Sequence, residues 1–381
     1  MNFSKHWAPT LDDYVIDLAW SPATGGGESG FLAAASSSGG ITLFNAATGA
    51  PGPLLPGHPD GTNCLAWLPP ADSPPAAASP QLLLASGGQD GCVRFWDATT
   101  GQQTAVVKLG PSWVEHLAWI TPRSPRATPG PAASAPGSPL LFAAAGKKLV
   151  ALRPDGSVAH AFPDAPKTIT ALAARTAPAH AGSGAPAPAP GQPEAARLAS
   201  ACFGGVVVWD AATFSAVNEY PYGNTIHALT WSPDGRWLVA GCQDNAVHLW
   251  IPSEELELHM SGYETKLKEL SFSHDSRWLA TGGGRDACVW DCSGAGPEGR
   301  EPLALPQAAR TSAVAYQNRH GLLATAAADG TFSLWAPLRK NPLLAEAKLP
   351  SPATQLAWSA ADSLLAVGTE KGQLFIFQTT G

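Results

Sequence analysis

The chain has 381 residues and a formal net charge of −7, and 14% of its residues are charged. This acidic balance excludes a general nucleic-acid binder, which needs a basic surface, and the six cysteines contain no metal-type Cys-x-x-Cys pair. Residues 1–7 lack an apolar signal core. Because no apolar run of about 18 residues follows either, we expect no membrane span and a cytoplasmic location.

One short pattern recurs along the chain. In its fullest copy, residues 57–97, a strand ending in Trp67 precedes a small-residue run and a strand ending in Trp96. The aligned ends of the first strand are, in chain order, Trp20, Trp67, Trp119, Ala174, Trp231, Phe272, Tyr316 and Trp358. The aligned ends of the third strand are Phe44, Trp96, Leu152, Trp209, Trp250, Trp290, Trp335 and Phe377. The last four first-strand ends lie about 40–45 residues apart, as four-stranded propeller blades do.

This repeat predicts an all-β protein, a closed β-propeller of eight four-stranded blades that forms a single domain over residues 1–381. The strands within 225–250 are apolar on both faces, which is typical of sheets covered on both sides. Seven blades is the alternative, if the weakest unit, residues 169–209, is only an elaborated connection.

Three insertions, at about 70–80, 121–139 and 177–193, separate the first and second strands of the second, third and fourth units. They are rich in Pro, Ala, Ser and Gly. Such a composition cannot bury enough apolar surface to fold, so we expect exposed, mobile loops.

The pattern of residues 57–97 resembles the WD-repeat β-propellers (WD40 type), and the resemblance covers essentially the full chain. The Ala-, Pro- and Gly-rich loops suggest a bacterial member. In this family a His, a Ser or Thr, an Asp and a Trp form a hydrogen-bonded tetrad within a blade. The resemblance assigns this structural tetrad to His58, Ser86, Asp90 and Trp96. Three of these residue types also make a hydrolase triad, but no Gly-x-Ser-x-Gly elbow surrounds Ser86.

Other units keep only part of the tetrad. The partial copies are Thr325, Asp329 and Trp335 in the seventh unit, Asp244 and Trp250 in the fifth, and Asp286 and Trp290 in the sixth. The first, third, fourth and eighth units look degenerate. The last unit ends without a fourth strand, and the resemblance implies that N-terminal residues 3–9 supply it and close the ring, which removes exposed sheet edges.

Four equivalent positions of the first strands carry possible metal ligands, namely Asp17, Cys64, His116 and Glu269. A metal-handling protein that uses them near the central channel is one alternative function. We expect plain polar channel lining, no metal and no cofactor. A quinoprotein-type propeller enzyme is a second alternative, because Thr-Gly and Trp also recur in such repeats, as at 98–101.

The end of the disc opposite the insertions, which we call the insertion-free face, is the predicted partner-binding face. Its residues are Asn63, Gln89, Trp113, Glu115, His227, Gln243, Lys266, Lys268, Arg285 and Arg310. The cations from units six and seven would select an acidic partner, and an aromatic residue such as Trp113 is a favoured interface anchor. The sequence therefore predicts a monomeric, non-catalytic scaffold whose partner is another protein or peptide, not a nucleic acid or a membrane.

Overall fold

A computed structural model describes residues 2–22, 30–70, 82–121, 138–175 and 195–380. The predicted insertions lie almost entirely outside these ranges, so their mobility stays a prediction. The strands of the first half are β1 (Asn2–Trp7), β2 (Val15–Trp20), β3 (Phe31–Ser36), β4 (Ile41–Asn45), β5 (Pro51–Leu55), β6 (Thr62–Trp67), β7 (Leu83–Gly88), β8 (Cys92–Asp97), β9 (Gln102–Lys108), β10 (Val114–Ile120), β11 (Leu140–Ala145), β12 (Lys148–Leu152), β13 (Val158–Ala161), β14 (Ile169–Arg175), β15 (Arg197–Cys202), β16 (Gly204–Asp210) and β17 (Ala216–Tyr222).

The strands of the second half are β18 (Ile226–Trp231), β19 (Leu238–Cys242), β20 (Val247–Ile251), β21 (Leu256–Met260), β22 (Leu270–Phe272), β23 (Trp278–Thr281), β24 (Ala287–Asp291), β25 (Leu303–Leu305), β26 (Thr311–Tyr316), β27 (Leu323–Ala327), β28 (Thr331–Trp335), β29 (Leu343–Lys348), β30 (Ala353–Trp358), β31 (Leu364–Thr369) and β32 (Leu374–Thr380). The described residues form no helix, and therefore no helix that could cross a membrane.

Within the described ranges these strands make eight four-stranded antiparallel sheets, the blades of a propeller. Blades 1 to 7 are consecutive meanders that begin at β2, β6, β10, β14, β18, β22 and β26. Blade 8 has the order β30-β31-β32-β1, and β1 pairs with β32 from Asn2 opposite Thr380 to Trp7 opposite Ile376. The prediction of eight blades closed by the N-terminal strand is confirmed, and the seven-blade alternative is wrong because residues 169–209 supply three strands of blade 4.

The core lies between the blades. The second strand of each blade is almost completely buried; in blade 2, for example, Leu84 and Ala85 have no exposed surface. The predicted strand ends fall at or beside the observed ends. At Phe377 the strand runs on to Thr380, because it pairs there with β1.

The antiparallel register places the turn between the second and third strands at the same end as the start of the first strand. In blade 2, Thr62 of β6 lies opposite Gly88 of β7. This end is the insertion-free face. Four internal ranges lie outside the description, namely 23–29, 71–81, 122–137 and 176–194, and each connects the first and second strands of one of blades 1 to 4. The strand ends that flank these ranges lie at the end opposite the insertion-free face.

Candidate functional site: the tetrads and the insertion-free face

The tetrad assigned to blade 2 forms a continuous hydrogen-bonded chain. Trp96 Nε1 donates to Ser86 Oγ over 2.9 Å, and Ser86 donates to His58 Nε2 over 2.8 Å. His58 Nδ1 in turn donates to Asp90 Oδ1 over 2.8 Å. These hydrogen bonds connect the segment before β6 and the turn after β7 to the second and third strands of the blade.

Burial fixes the charge state of this chain. Burial outweighs the hydrogen bond to Asp90 and lowers the pKa of His58, so the ring is neutral at neutral pH. Burial opposes ionisation of Asp90, but hydrogen bonds from Arg94 and His58 outweigh it and lower the pKa of Asp90. Ser86 has no accessible surface, so its hydroxyl cannot meet a substrate in this conformation. The arrangement can therefore brace a blade, and it offers no open nucleophile.

The tryptophan–hydroxyl half of the tetrad occurs more widely than the sequence predicted. The predicted pair of Trp335 with Thr325 is present (2.8 Å), and the further pairs are Trp209 with Ser200 (2.9 Å) and Trp290 with Thr281 (3.3 Å). Blade 4 therefore keeps half of the tetrad, so the prediction that this unit is degenerate is wrong. The signal was present in the sequence: the hydroxyl residue lies two positions after the leucine that pairs with the tryptophan, as Leu198 does with Trp209.

Other residues replace the histidine in three blades, and sequence reasoning missed them. In blade 7, Gln307 Nε2 donates to Thr325 Oγ1. In blade 6, the Tyr263 hydroxyl lies 3.2 Å from Thr281 Oγ1. In blade 5, the Tyr222 hydroxyl donates to Asp244. Gln307 and Tyr222 each lie four positions before the first, inner strand of their blade, as His58 lies four before Thr62. In blade 6, whose inner strand is short, Tyr263 lies four positions before the equivalent residue Leu267.

Four large side chains occupy one equivalent position on the insertion-free face. Tyr14, Trp113 and Arg310 each immediately precede the first residue of an inner strand, and Lys266 stands at the same place in blade 6. Trp113 is 50% exposed, and Lys266 and Arg310 are also exposed. The repeat therefore places aromatic and cationic side chains at equivalent points around this face.

Four of the residues predicted on this face form hydrogen bonds within the protein. Asn63 Nδ2 donates to the carbonyl of Val114 in blade 3 over 3.2 Å, and Gln89 Nε2 donates to Asn63 Oδ1 over 3.5 Å. His227 Nε2 and Gln243 Oε1 lie 2.6 Å apart in blade 5. Glu115 is exposed, beside Val114.

The structure brings three of the four predicted cations together. A cavity of about 470 Å³ is lined by Lys266, Lys268 and Arg310, and by Tyr14, Thr265, Glu269, Ser312, Ala353, Thr354 and Glu370. Arg285 lines a separate cavity of about 380 Å³, which contains Tyr263 and Gln307. Its Nε donates to the Gln307 carbonyl over 2.9 Å, which holds it away from the other three cations.

The four channel positions do not form a ligand set. Asp17 Oδ2 accepts a 2.8 Å hydrogen bond from the Leu65 amide of the next blade, and the Cys64 thiol lies 3.6 Å from the Val114 carbonyl. Burial lowers the pKa of His116 to about 4. Among the described residues, no group of three His, Cys, Asp or Glu side chains is placed to hold a metal ion.

A third cavity, of about 700 Å³, opens at the insertion end and is lined by Trp20, Trp67, Trp119 and Trp358. Each of these indoles donates to a carbonyl of the preceding blade; Trp67 Nε1, for example, donates to Ala19 over 2.9 Å. These tryptophans therefore fasten neighbouring blades to one another.

The comparisons with known proteins agree with this architecture. The family model "WD domain, G-beta repeat" matches residues 50–97, 217–250 and 255–291. The chain is similar in structure to the computationally designed Ika8 protein, with a TM-score of 0.69 and 18% sequence identity over 97% of this chain and 98% of that one. At that identity the likeness shows the fold alone, and no curated protein sequence matches the chain. The chain therefore contains WD40 repeats in these three places and has the fold of an eight-bladed β-propeller.

Proposed function

We propose that the protein is a non-catalytic interaction scaffold that binds another protein or a peptide on its insertion-free face, as a monomer in the cytoplasm. WD40 propellers are commonly protein-interaction scaffolds and are typically not enzymes. The blade 2 triad of residue types is buried inside its blade, which supports a bracing role and not a catalytic one.

The observation that carries the proposal is Trp113. It is a large aromatic side chain, 50% exposed, at a position where the equivalent residue in blade 2 is Gly61. Aromatic residues of this kind dominate the free energy of many interfaces. The cationic cavity occupies the same face, so an aromatic anchor and charged groups are available to one partner.

The test compares exposed hydrophobic residues on the two faces. Leu338 is 64% exposed in the turn after β28, at the insertion end, and serves as the matched control. Partners are captured from cell extract with the wild-type chain, Trp113→Ala and Leu338→Ala, and are quantified by mass spectrometry. We expect Trp113→Ala alone to lose a partner, with a cost of about 2 kcal/mol or more in binding. Loss with Leu338→Ala alone would move the site to the insertion end.

The two alternative functions have direct tests. Elemental analysis of the purified protein addresses the metal-handling alternative, and its absorbance spectrum addresses the quinoprotein alternative. The scaffold proposal expects neither a stoichiometric metal nor a cofactor band.

A further inference from the structure

We propose that the cavity lined by Lys266, Lys268 and Arg310 binds a carboxylate-bearing segment of the partner protein. This inference rests on the proposed function and names the chemistry of the partner. The cavity lies on the insertion-free face, between the inner strands of blades 6, 7, 8 and 1.

The chain departs from its own repeat where this cavity forms. The inner strand β22 has three residues, whereas the equivalent strand β26 has six. Residues 265–269 therefore lie outside the ladder, and a hydrogen bond of 2.8 Å from the Thr265 amide to the Gly283 carbonyl helps to hold them. Leu267 is fully buried and anchors the segment, while Lys266 and Lys268 on either side of it are exposed. The irregular segment thus presents two ammonium groups from a fixed backbone.

The cations lack partners within the part of the chain that the structure describes. Lys266, Lys268 and Arg310 form no ion pair there, although other cations do, such as Lys348 with Asp329 and Arg277 with Asp291. Three positive groups line this cavity together with two carboxylates, Glu269 and Glu370, so positive charge is in excess there, in a chain whose net charge is −7. An acidic ligand would complement that excess.

Two carboxylates in the same cavity favour a protein segment over a nucleic acid as the acidic ligand. Glu269 and Glu370 are among the lining residues. Burial raises the pKa of Glu269, while the charges of Arg310 and Lys268 act in the opposite direction. A nucleic acid repeats its charge at short, regular intervals, so its phosphates would also face these carboxylates. A protein segment can place one or two carboxylates against the cations and neutral groups beside Glu269 and Glu370, which favours a protein ligand.

The test measures binding of defined probes by fluorescence anisotropy, with the full chain. The probe is a labelled Gly/Ser peptide that contains two adjacent glutamates, and its counterpart contains two glutamines. Lys266→Gln/Arg310→Gln removes two cations from the cavity. The matched control, Arg339→Gln/Lys340→Gln, removes the same charges from exposed positions at the insertion end.

We expect the wild-type chain to bind the glutamate peptide more tightly than the glutamine peptide, and less tightly as salt is added. The cavity variant should weaken this binding about tenfold, and the control should leave it unchanged. Equal weakening by the control would overturn the proposal, because net charge alone would then explain it. Tighter binding of a short oligothymidylate than of the glutamate peptide would overturn it in favour of nucleic acid. If the wild-type chain ignores the glutamate peptide while Trp113→Ala still loses its partner, this inference fails and the proposed function stands.

Discussion

The indole nitrogen of Trp250 is buried without an acceptor because Ala240 stands where the other tryptophan-bearing blades have a hydroxyl. Within the described residues, Trp250 Nε1 has no hydrogen-bond partner. Trp250 pairs with Leu238, and Ala240 follows two residues later. Blades 2, 4, 6 and 7 have Ser or Thr at that place, and its hydroxyl oxygen accepts from the tryptophan of the same blade. Blades 1, 3 and 8, whose third strands have Phe or Leu in place of this tryptophan, have Ala or Val there.

Ala240→Ser should therefore stabilise the protein. The new hydroxyl would accept from Trp250 and satisfy a buried donor, which is worth about 1 kcal/mol in the free energy of unfolding. Chemical denaturation of the variant and the wild type measures the change. Ala143→Ser is the matched control: Ala143 has the equivalent place in blade 3, is equally buried and lies opposite Val150, and Leu152 stands where blade 5 has Trp250, so the paired strand offers no side-chain donor there. It should destabilise, and equal losses in both variants would contradict the interpretation.

His58→Ala should destabilise the protein without abolishing partner binding. It removes the acceptor of Ser86 and a donor to Asp90 inside a buried chain, at a cost of about 1–3 kcal/mol in unfolding free energy. His259→Ala, at an exposed position, is the control and should be nearly neutral. Binding lost at unchanged stability would place His58 in a binding site instead.

The fold was predictable because it depends on features that recur at every unit. Apolar strands, turn residues and an aromatic residue near each strand end do not require an intact tetrad, so even blade 4 was counted correctly. Gln307 and Tyr263 were missed because their residue types differ from histidine. Their role depends on a position relative to Thr325 and Thr281, which only the strand register makes visible.

The candidate site was only partly predictable. Sequence spacing assigned Lys266, Lys268, Arg285 and Arg310 to one face, because antiparallel strands alternate in direction. Spacing alone could not show that Arg285 bonds to the Gln307 carbonyl and lines a separate cavity. It also could not show that β22 is short, since the irregular path of residues 265–269 depends on contacts with Gly283 and on the burial of Leu267.

Deleting residues 1–7 should open the ring. These residues contain β1, which pairs with β32, and Phe3 stacks on Phe377 and Phe332 with ring centroids 4.8 and 5.8 Å apart. The deletion leaves β32 as an unpaired edge, which invites association with other chains. We expect a lower melting temperature and self-association, measured by calorimetry and by light scattering after size exclusion. Phe3→Ala removes the stacking but keeps the strand, so it should lower the melting temperature and stay monomeric. A deletion variant that is monomeric and equally stable would contradict closure by β1.

Asp17→Asn should stabilise the protein at neutral pH and lose this advantage in acid. Burial raises the pKa of Asp17 to about 6, although the amides of Leu65 and Leu18 donate to its carboxylate.

An unfolded aspartate titrates near pH 3.9. Between that pH and about 6 the folded chain therefore binds a proton that the unfolded chain does not. The wild-type chain must then lose stability as the pH rises through this window.

Asparagine carries no charge and keeps one oxygen for the Leu65 amide, but the Leu18 amide loses its acceptor. We expect the substitution to gain about 1 kcal/mol at pH 7, which is less than the full shift implies because of that lost hydrogen bond. The gain should vanish near pH 4. Asp12→Asn is the opposite control. Hydrogen bonds from Ser36 and Ser38 lower the pKa of Asp12, so its ionised carboxylate stabilises the fold. Replacing this carboxylate should therefore lower the free energy of unfolding at neutral pH. Denaturation of both variants across this pH range tests the assignment. A difference between Asp17→Asn and the wild type that does not change with pH would show that Asp17 is ionised throughout the window.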